Sequence, residues 1–187
     1  MEHNDKEYKR VTETLAPFSG INSIPKEILK PAQERGTAVH EYCDKAIKGI
    51  EAIDVNEDWR GYLNSFLLWE KEKNFLPKPD RLFCDKYNLT GEIDGLYRDG
   101  QDIVLFDIKT PIKECKTWEF QLSAYAYLLS LSGVIISKIC SVKLEKSGDE
   151  PKVSWYKIDV EGYLQLLDIY NRFFKKRKDD DLYLDYL

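Results

Sequence analysis

The chain has 187 residues, of which 43% are hydrophobic and 13% aromatic, and carries a formal net charge of -5 at pH 7. This length and composition predict one domain, residues 1–187, with a substantial hydrophobic core. No apolar run approaches the ~20 residues of a membrane-spanning helix, and the N-terminus lacks the apolar stretch of a signal peptide. The acidic net charge disfavours a protein that coats nucleic acid by bulk charge. We therefore expect a cytoplasmic protein without a membrane segment. The acidic net charge does not exclude a local basic groove on its surface.

The cysteines indicate neither a metal centre nor a disulfide framework. They are far apart in the chain and form no Cys-x-x-Cys pair. The pattern predicts buried free thiols at Cys43, Cys84, Cys115 and Cys140.

The first part of the chain is predicted to be mainly helical. Residues 1–30 contain scattered proline, glycine and polar residues, which predict an irregular lead-in with at most a short helix. Over residues 31–50, apolar side chains recur at helical spacing, with His40 at the edge of the apolar stripe. A second helix is predicted over residues 59–74, where two prolines soon follow.

The middle of the chain changes to the two-residue period of strands. Strands are predicted at residues 81–86, 89–97 and 102–110. The last two are joined by residues 98–101, where Asp99-Gly100 indicates a tight hairpin.

A third helix is predicted over residues 117–132, followed by strands at 135–144 and 153–158 and a final helix at 161–178. Helices and strands therefore alternate in one unit without internal repeats. The order predicts an α/β fold with a central mixed β-sheet flanked by helices.

The sequence LFDIKT, residues 105–110, places an acid and a base in a strand where apolar side chains are the rule. Because side chains alternate across a strand, Asp107 and Lys109 lie on one face. A hairpin closed between Asp99 and Gly100 would place Asp94 diagonal to Asp107 on that face, about 7–8 Å away at the backbone.

Two carboxylates at this spacing can close around a hard cation, for which Mg²⁺ is the natural candidate. Such an ion suits the hydrolysis of a phosphodiester, with Lys109 stabilising the developing charge or orienting the attacking water. The same hairpin would place Glu92 opposite Asp107, as a candidate third acid. The alternative is a surface hairpin whose charges are solvated and only weakly paired.

Four short motifs occur in order between residues 35 and 131. They are RGTAVHE at 35–41, GEID at 91–94, DIK at 107–109 and QLSAY at 121–125. Together they resemble the PD-(D/E)XK nuclease superfamily in its RecB-like exonuclease branch, which includes CRISPR-associated, mitochondrial genome maintenance and phage exonucleases. The first motif is most similar to the phage form.

The resemblance implies a restriction-endonuclease-like core and a specific set of roles. Asp94 and Asp107 would be metal ligands, with the main-chain carbonyl of Ile108 as a third ligand. His40 would bind the same ion or a second one. Lys109 would be the catalytic lysine.

Two further pairs of residues are candidates for binding the substrate. Gln121 and Tyr125, one helical turn apart, would face the substrate backbone or buttress the site. Ordinary positions in an amphipathic helix explain these two residues nearly as well. Lys113 and Lys116 follow the catalytic strand and are placed to meet a DNA backbone.

The function that the resemblance implies is a Mg²⁺- or Mn²⁺-dependent DNA exonuclease acting in phage or bacterial DNA recombination, repair or replication, in the cytoplasm of the bacterial host cell. A phage strand-annealing or recombination protein is the implied protein partner. No iron–sulfur cluster is expected, because only Cys115 and Cys140 follow the lysine. An endonuclease on the same fold, a catalytically silent nucleic-acid-binding module and a structural domain without metal binding remain open.

Overall fold

The computed structural model describes residues 2–3 and 6–174. The helices are α1 (Val11–Ser19), α2 (Lys26–Ile47), α3 (Arg60–Glu70), α4 (Thr117–Leu131) and α5 (Val160–Phe173), with a short 3₁₀ helix at Ile21–Ser23. The strands are β1 (Glu2–His3), β2 (Lys6–Glu7), β3 (Lys9–Arg10), β4 (Asn74–Leu76), β5 (Leu82–Cys84), β6 (Leu89–Gly91), β7 (Gly95–Asp99), β8 (Asp102–Lys109), β9 (Lys138–Lys143) and β10 (Lys152–Tyr156).

A five-stranded sheet in the order β10-β9-β8-β7-β4 forms the centre of the fold. Strands β8 and β9 are parallel and the other neighbours in this sheet are antiparallel, so the sheet is mixed. A three-stranded sheet, β3-β6-β5, lies beside it, and in that sheet β3 runs parallel to β6. Strands β1 and β2 pair with each other.

Helices cover both faces of the central sheet, because β8 is apolar on both sides. Val104, Phe106 and Ile108 pack with side chains of α2 and α3. Leu105, on the opposite face, packs in a second core with α1, α4 and α5. The predicted α/β class, with a central mixed sheet flanked by helices, is confirmed.

The hairpin between β7 and β8 has a different register from the predicted one. Asp99 pairs with Asp102 and Leu96 with Leu105, so the turn is made by Gly100 and Gln101. Gly100 adopts φ 60°, a conformation that favours glycine at the first central position of a two-residue turn. The shift moves every predicted cross-strand pair by two residues.

The single strand predicted over residues 89–97 is instead two strands in two different sheets. Strand β6 ends at Gly91, β7 begins at Gly95, and residues 92–94 connect them. The predicted placement of Glu92 opposite Asp107 is therefore wrong. Asp94 lies one residue before the first pair of the hairpin ladder, Gly95 with Phe106.

The described part of the predicted irregular lead-in is more regular than expected. Helix α1 is the short helix that the prediction allowed and contributes buried residues to the core, but α2 begins at Lys26 instead of residue 31. Pro25 explains this start, since its carbonyl accepts the amide hydrogen bonds of Ile28 and Leu29. Helix α2 ends at Ile47, because Gly49 adopts φ 68°.

Helix α3 ends at Glu70, and not at residue 74 as predicted. The chain then leads into β4, an edge strand that was not predicted, in which Phe75 pairs with Tyr97 of β7. Residues 175–178, the end of the predicted final helix, lie outside the described residues. No helix within residues 2–3 and 6–174 has the length and apolar character needed to cross a membrane.

Candidate active site

The acid and the base of the LFDIKT sequence lie side by side at the end of β8, on the face that α4 covers. Asp107 is 4% exposed, and its Oδ2 atom forms an ion pair with Nζ of Lys109. The ammonium group of Lys109 also lies 5.4 Å from the centre of the Trp118 ring. A buried carboxylate without a cation is strongly unfavourable, and Lys109 supplies the opposite charge.

Gln121 connects these two side chains from α4. Its Oε1 accepts a hydrogen bond from Lys109 Nζ at 2.9 Å, and its Nε2 donates to Asp107 Oδ1 at 2.9 Å. The same Nε2 is 3.3 Å from the hydroxyl of Tyr125, one turn further along the helix. In this arrangement Gln121 buttresses the acid and the base, which is one of the two placements predicted for it.

Tyr125 is buried, with 4% of its surface exposed, and packs against the end of β6. A Cβ atom at Gly91 would lie 2.5 Å from Cε1 of Tyr125, so only glycine fits at this crossing. The first residue of the GEID motif therefore lets the strand approach the helix closely, next to the segment that carries Asp94.

Asp94 is brought to the site from the segment between β6 and β7. Its Oδ1 accepts a hydrogen bond from Nδ1 of His40 at 2.7 Å, and its Oδ2 accepts one from the backbone N–H of Ile108 at 2.6 Å. His40 comes from α2, where the neighbouring Val39 is fully buried. Three separate segments thus meet at one carboxylate.

The local charges shift the pKa values of these groups in different directions. Burial raises the pKa of Asp107; the ammonium of Lys109 opposes this rise and the carboxylate of Asp94 adds to it. Burial acts on Asp94 as well, but His40 and the Ile108 amide hold its pKa below the usual value. Burial disfavours a charged His40, yet the carboxylate of Asp94 raises its pKa overall. Asp107 is therefore the acid whose negative charge is least well compensated.

The donor set has the chemistry that a hard cation requires. It comprises two carboxylates, an imidazole and the carbonyl of Ile108, and Asp107 Oδ2 is buried in contact with the ammonium of Lys109. In the described part of the chain, no three His, Cys, Asp or Glu side chains form a group that could hold an ion as they stand. An ion would take the place of the His40–Asp94 and Lys109–Asp107 contacts, and the ligand roles of these residues stay a prediction.

A cleft of about 370 Å³ opens over these groups, and two arginines line it. Arg10 comes from β3 and Arg81 is the residue before β5, and the acids Glu92, Asp94 and Asp107 line the cleft as well. Arg81 also forms an ion pair with the exposed Glu92. Neither arginine was predicted, and the only sequence signal was the basic charge itself.

A neighbouring cleft of about 330 Å³ shares His40 and Asp94 with the first. Lys78 lines it and donates a hydrogen bond to the carbonyl of Ile93 at 3.0 Å. The same ammonium is 3.2 Å from Oδ1 of Asp44 in α2. Lys78 thus ties the segment that carries Asp94 to the helix that carries His40.

The two predicted DNA-binding lysines lie outside both clefts. Lys113 and Lys116 are exposed in the connection between β8 and α4. Their position after Lys109 leaves them accessible to a polymer that extends beyond the cleft.

The four cysteines are free thiols, and Cys43, Cys84 and Cys140 are buried as predicted, whereas Cys115 is only partly buried.

Comparisons with known proteins concern the fold. No protein-family model and no curated protein matches the sequence. A candidate exonuclease from Eubacterium rectale superposes with a TM-score of 0.55 at 12% identity, over 89% of this chain and 79% of its own. An alkaline exonuclease from Laribacter hongkongensis superposes with a TM-score of 0.47 at 11% identity, over 88% of this chain and 86% of its own. At such low identity, the likeness to the Eubacterium rectale protein shows that the two chains share a fold, in agreement with the predicted restriction-endonuclease-like core.

Proposed function

We propose that this chain is a Mg²⁺- or Mn²⁺-dependent nuclease that hydrolyses DNA phosphodiester bonds and acts as an exonuclease. One observation carries the proposal: Asp107 is buried in an ion pair with Lys109 and close to Asp94, at a cleft that Arg10 and Arg81 also line. Structural ion pairs also perturb buried acids, but they do not require an open cleft at which acids and arginines meet.

Asp94, Asp107 and the carbonyl of Ile108 would hold the metal, with His40 as a further ligand. A bound Mg²⁺ or Mn²⁺ supplies Lewis-acid polarisation of a phosphoryl oxygen and acidifies a bound water. One carboxylate oxygen of Asp94 is anchored independently of an ion, since its Oδ2 accepts a hydrogen bond from the Ile108 amide.

The other groups act on the phosphodiester directly. Lys109 places a positive charge, held by Gln121, beside the position where negative charge develops on the phosphate. Arg10 and Arg81 line the cleft where a phosphate would enter, and guanidinium groups bind phosphate through paired N–H donors. Lys113 and Lys116 would contact the backbone further along the strand.

Exonuclease activity is proposed over endonuclease activity because the Eubacterium rectale protein that shares the fold is named as a candidate exonuclease. The motif resemblance favours the same choice and the RecB-like branch. It also supports a role in phage or bacterial DNA recombination, repair or replication in the host cytoplasm, alongside a strand-annealing or recombination protein.

The proposal is tested by incubating the protein with end-labelled linear DNA, single- and double-stranded, and with covalently closed circles. We expect loss of linear DNA only, dependent on Mg²⁺ or Mn²⁺ and abolished in Asp107→Asn and Lys109→Ala. Lys138→Ala is the control, since Lys138 pairs with Asp99 and Asp102 near the opposite end of β8.

The other outcomes select the alternatives. Cleavage of closed circles would assign an endonuclease. DNA binding without cleavage under any metal condition would assign a silent binding module. A thermal unfolding midpoint that Mn²⁺ does not raise in the unaltered protein, together with no DNA binding, would leave a structural domain.

A further inference from the structure

A second cavity, of about 550 Å³, lies beside the candidate active site and has a different character. It is enclosed by α1, by the segment around the short 3₁₀ helix and by the connection between β8 and α4. Its walls are mainly apolar and include Leu15, Ala16, Ile21, Ile24, Pro111 and Trp118. The size is within the range of cavities that take small molecules.

This cavity and the arginine-lined cleft are neighbours. Thr12 and Gln121 line both of them. Gln121 is hydrogen-bonded to Lys109 and Asp107, so a group in the cavity is separated from the acid and the base by one side chain.

The apolar side chains around the cavity are incompletely covered. Ile24 lines it and is 42% exposed, and Ile112, next to Pro111 of the wall, is 91% exposed. Lys113 and Glu114 also line the cavity, so its wall carries one charge of each sign. A mainly apolar cavity therefore adjoins a polar cleft that contains two arginines.

We propose that the cavity receives the nucleobase of an unpaired nucleotide whose phosphate lies in the arginine-lined cleft. A nucleotide joins a flat, largely apolar ring to an anionic phosphate, and the two neighbouring cavities match this division in polarity. A paired base cannot enter without leaving the duplex, so the preferred substrate is single-stranded DNA or a frayed end. This inference rests on the proposed nuclease function and specifies the substrate of the same site.

The test measures affinity, so that it does not depend on cleavage. Single-stranded oligonucleotides that end in a normal or an abasic nucleotide, at either terminus, are titrated by fluorescence anisotropy in the presence of a chelator. We expect the unaltered protein to bind the normal end about tenfold more tightly than the abasic end at one terminus, the order of magnitude found for a recognised base. In Ala16→Phe, whose ring would fill the cavity, this ratio should fall close to one.

A matched pair of variants controls for nonspecific loss of apolar surface. Ile24→Ala should lower the ratio, whereas Ile28→Ala should not, since Ile28 is 64% exposed in the same region but is not part of the cavity wall. Thermal unfolding of each variant verifies that it is folded.

Equal affinities for normal and abasic ends in the unaltered protein would overturn the inference, even if the protein degrades DNA. Failure to bind either oligonucleotide would also overturn it, and the degradation assay then decides separately on nuclease activity. Equal affinities together with a dimer that Ala16→Phe dissociates would assign the cavity to a second copy of the chain.

Discussion

Gln121 fixes the spacing of the acid and the base, because one amide group contacts both. The carboxamide oxygen can only accept a hydrogen bond and the nitrogen can only donate, so its orientation follows from its partners, the ammonium of Lys109 and the carboxylate of Asp107. A glutamine is suited to this position because it satisfies a cation and an anion at once.

Replacing Gln121 by leucine should therefore reduce both stability and DNA cleavage. The variant leaves Asp107 Oδ1 without its hydrogen bond and removes one of the polar contacts of the Lys109 ammonium, which typically costs about 1–3 kcal/mol. Denaturant unfolding would measure the loss of stability. The control is Gln165→Leu, at an exposed position of α5, which should change stability by less than about 0.5 kcal/mol. Equal effects of the two variants would contradict the buttressing role.

At the scale of single residues, the sequence was most informative where charge interrupts an apolar strand. Asp107 and Lys109 could be identified from alternation along one strand, without knowledge of the fold. Arg10 could not, because its approach to the site depends on β3 joining β6, some 80 positions later in the chain. Local pattern contains no signal for such a distant pairing.

The segment at residues 92–94 is the element that organises the site, since it connects the two sheets and carries Asp94. The sequence predicted one strand here, because a two-residue period, with Leu89, Ile93 and Tyr97 on one face, continues through residues 89–97. The interruption comes from tertiary contacts: Lys78 bonds to the carbonyl of Ile93, and Asp94 bonds to the amide of Ile108. Because these partners come from other segments of the chain, the local hydrophobic period of residues 89–97 does not predict them.

Lys78 should accordingly act as a positioning residue for Asp94. In Lys78→Met, the connecting segment loses its bond to the carbonyl of Ile93, and we expect a higher Mn²⁺ concentration at the midpoint of metal-dependent DNA cleavage. Lys78→Arg should restore the midpoint, because it retains a cationic donor.

Lys48→Met is the matched control for Lys78. Lys48 also pairs with Asp44, at 2.6 Å, but it has no hydrogen bond to Ile93. The same rise in the Mn²⁺ midpoint for both variants would show that charge near Asp44 matters, and not the position of the connecting segment.

Helix boundaries show the same division between local and distant causes. The predicted end of α4 agrees with the structure to one residue, since Gly133 adopts φ 82° and local sequence is enough to terminate the helix. The end of α3 was predicted four residues too late. Asn74–Leu76 pairs with β7 as an edge strand, and this pairing overrides the helical pattern.

On the scale of the whole molecule, the net charge is acidic, and the cleft is lined by charges of both signs, Arg10 and Arg81 with Glu92, Asp94 and Asp107. A chain with a net charge of -5 gains little from nonspecific attraction to DNA, so its affinity depends on where the cations lie.

The predicted α/β class followed from element order alone. The single domain over residues 1–187 stays a prediction.

The dependence of DNA affinity on salt should identify the cations that meet the backbone. For single strands, the slope of log K against log salt changes by about 0.7 for each phosphate contact, so the double variant Lys113→Ala, Lys116→Ala should flatten it by about 1.4. Lys138→Ala, near the other end of β8, should leave the slope unchanged. A slope that responds equally to both changes would mean that DNA is attracted by overall charge alone.

The parallel pairing of β3 with β6 also constrains the order in which the protein can be assembled during translation. Lys9 and Arg10 leave the ribosome early but have no strand to join until Leu89 and Thr90 have been synthesised. Helix α1 waits longer, because it packs against α4 and α5, and α5 is the last of the described elements in chain order. A nascent chain that already contains Asp94, Asp107 and Lys109 therefore still has an incomplete cleft, because Gln121 and Tyr125 of α4 form part of its lining.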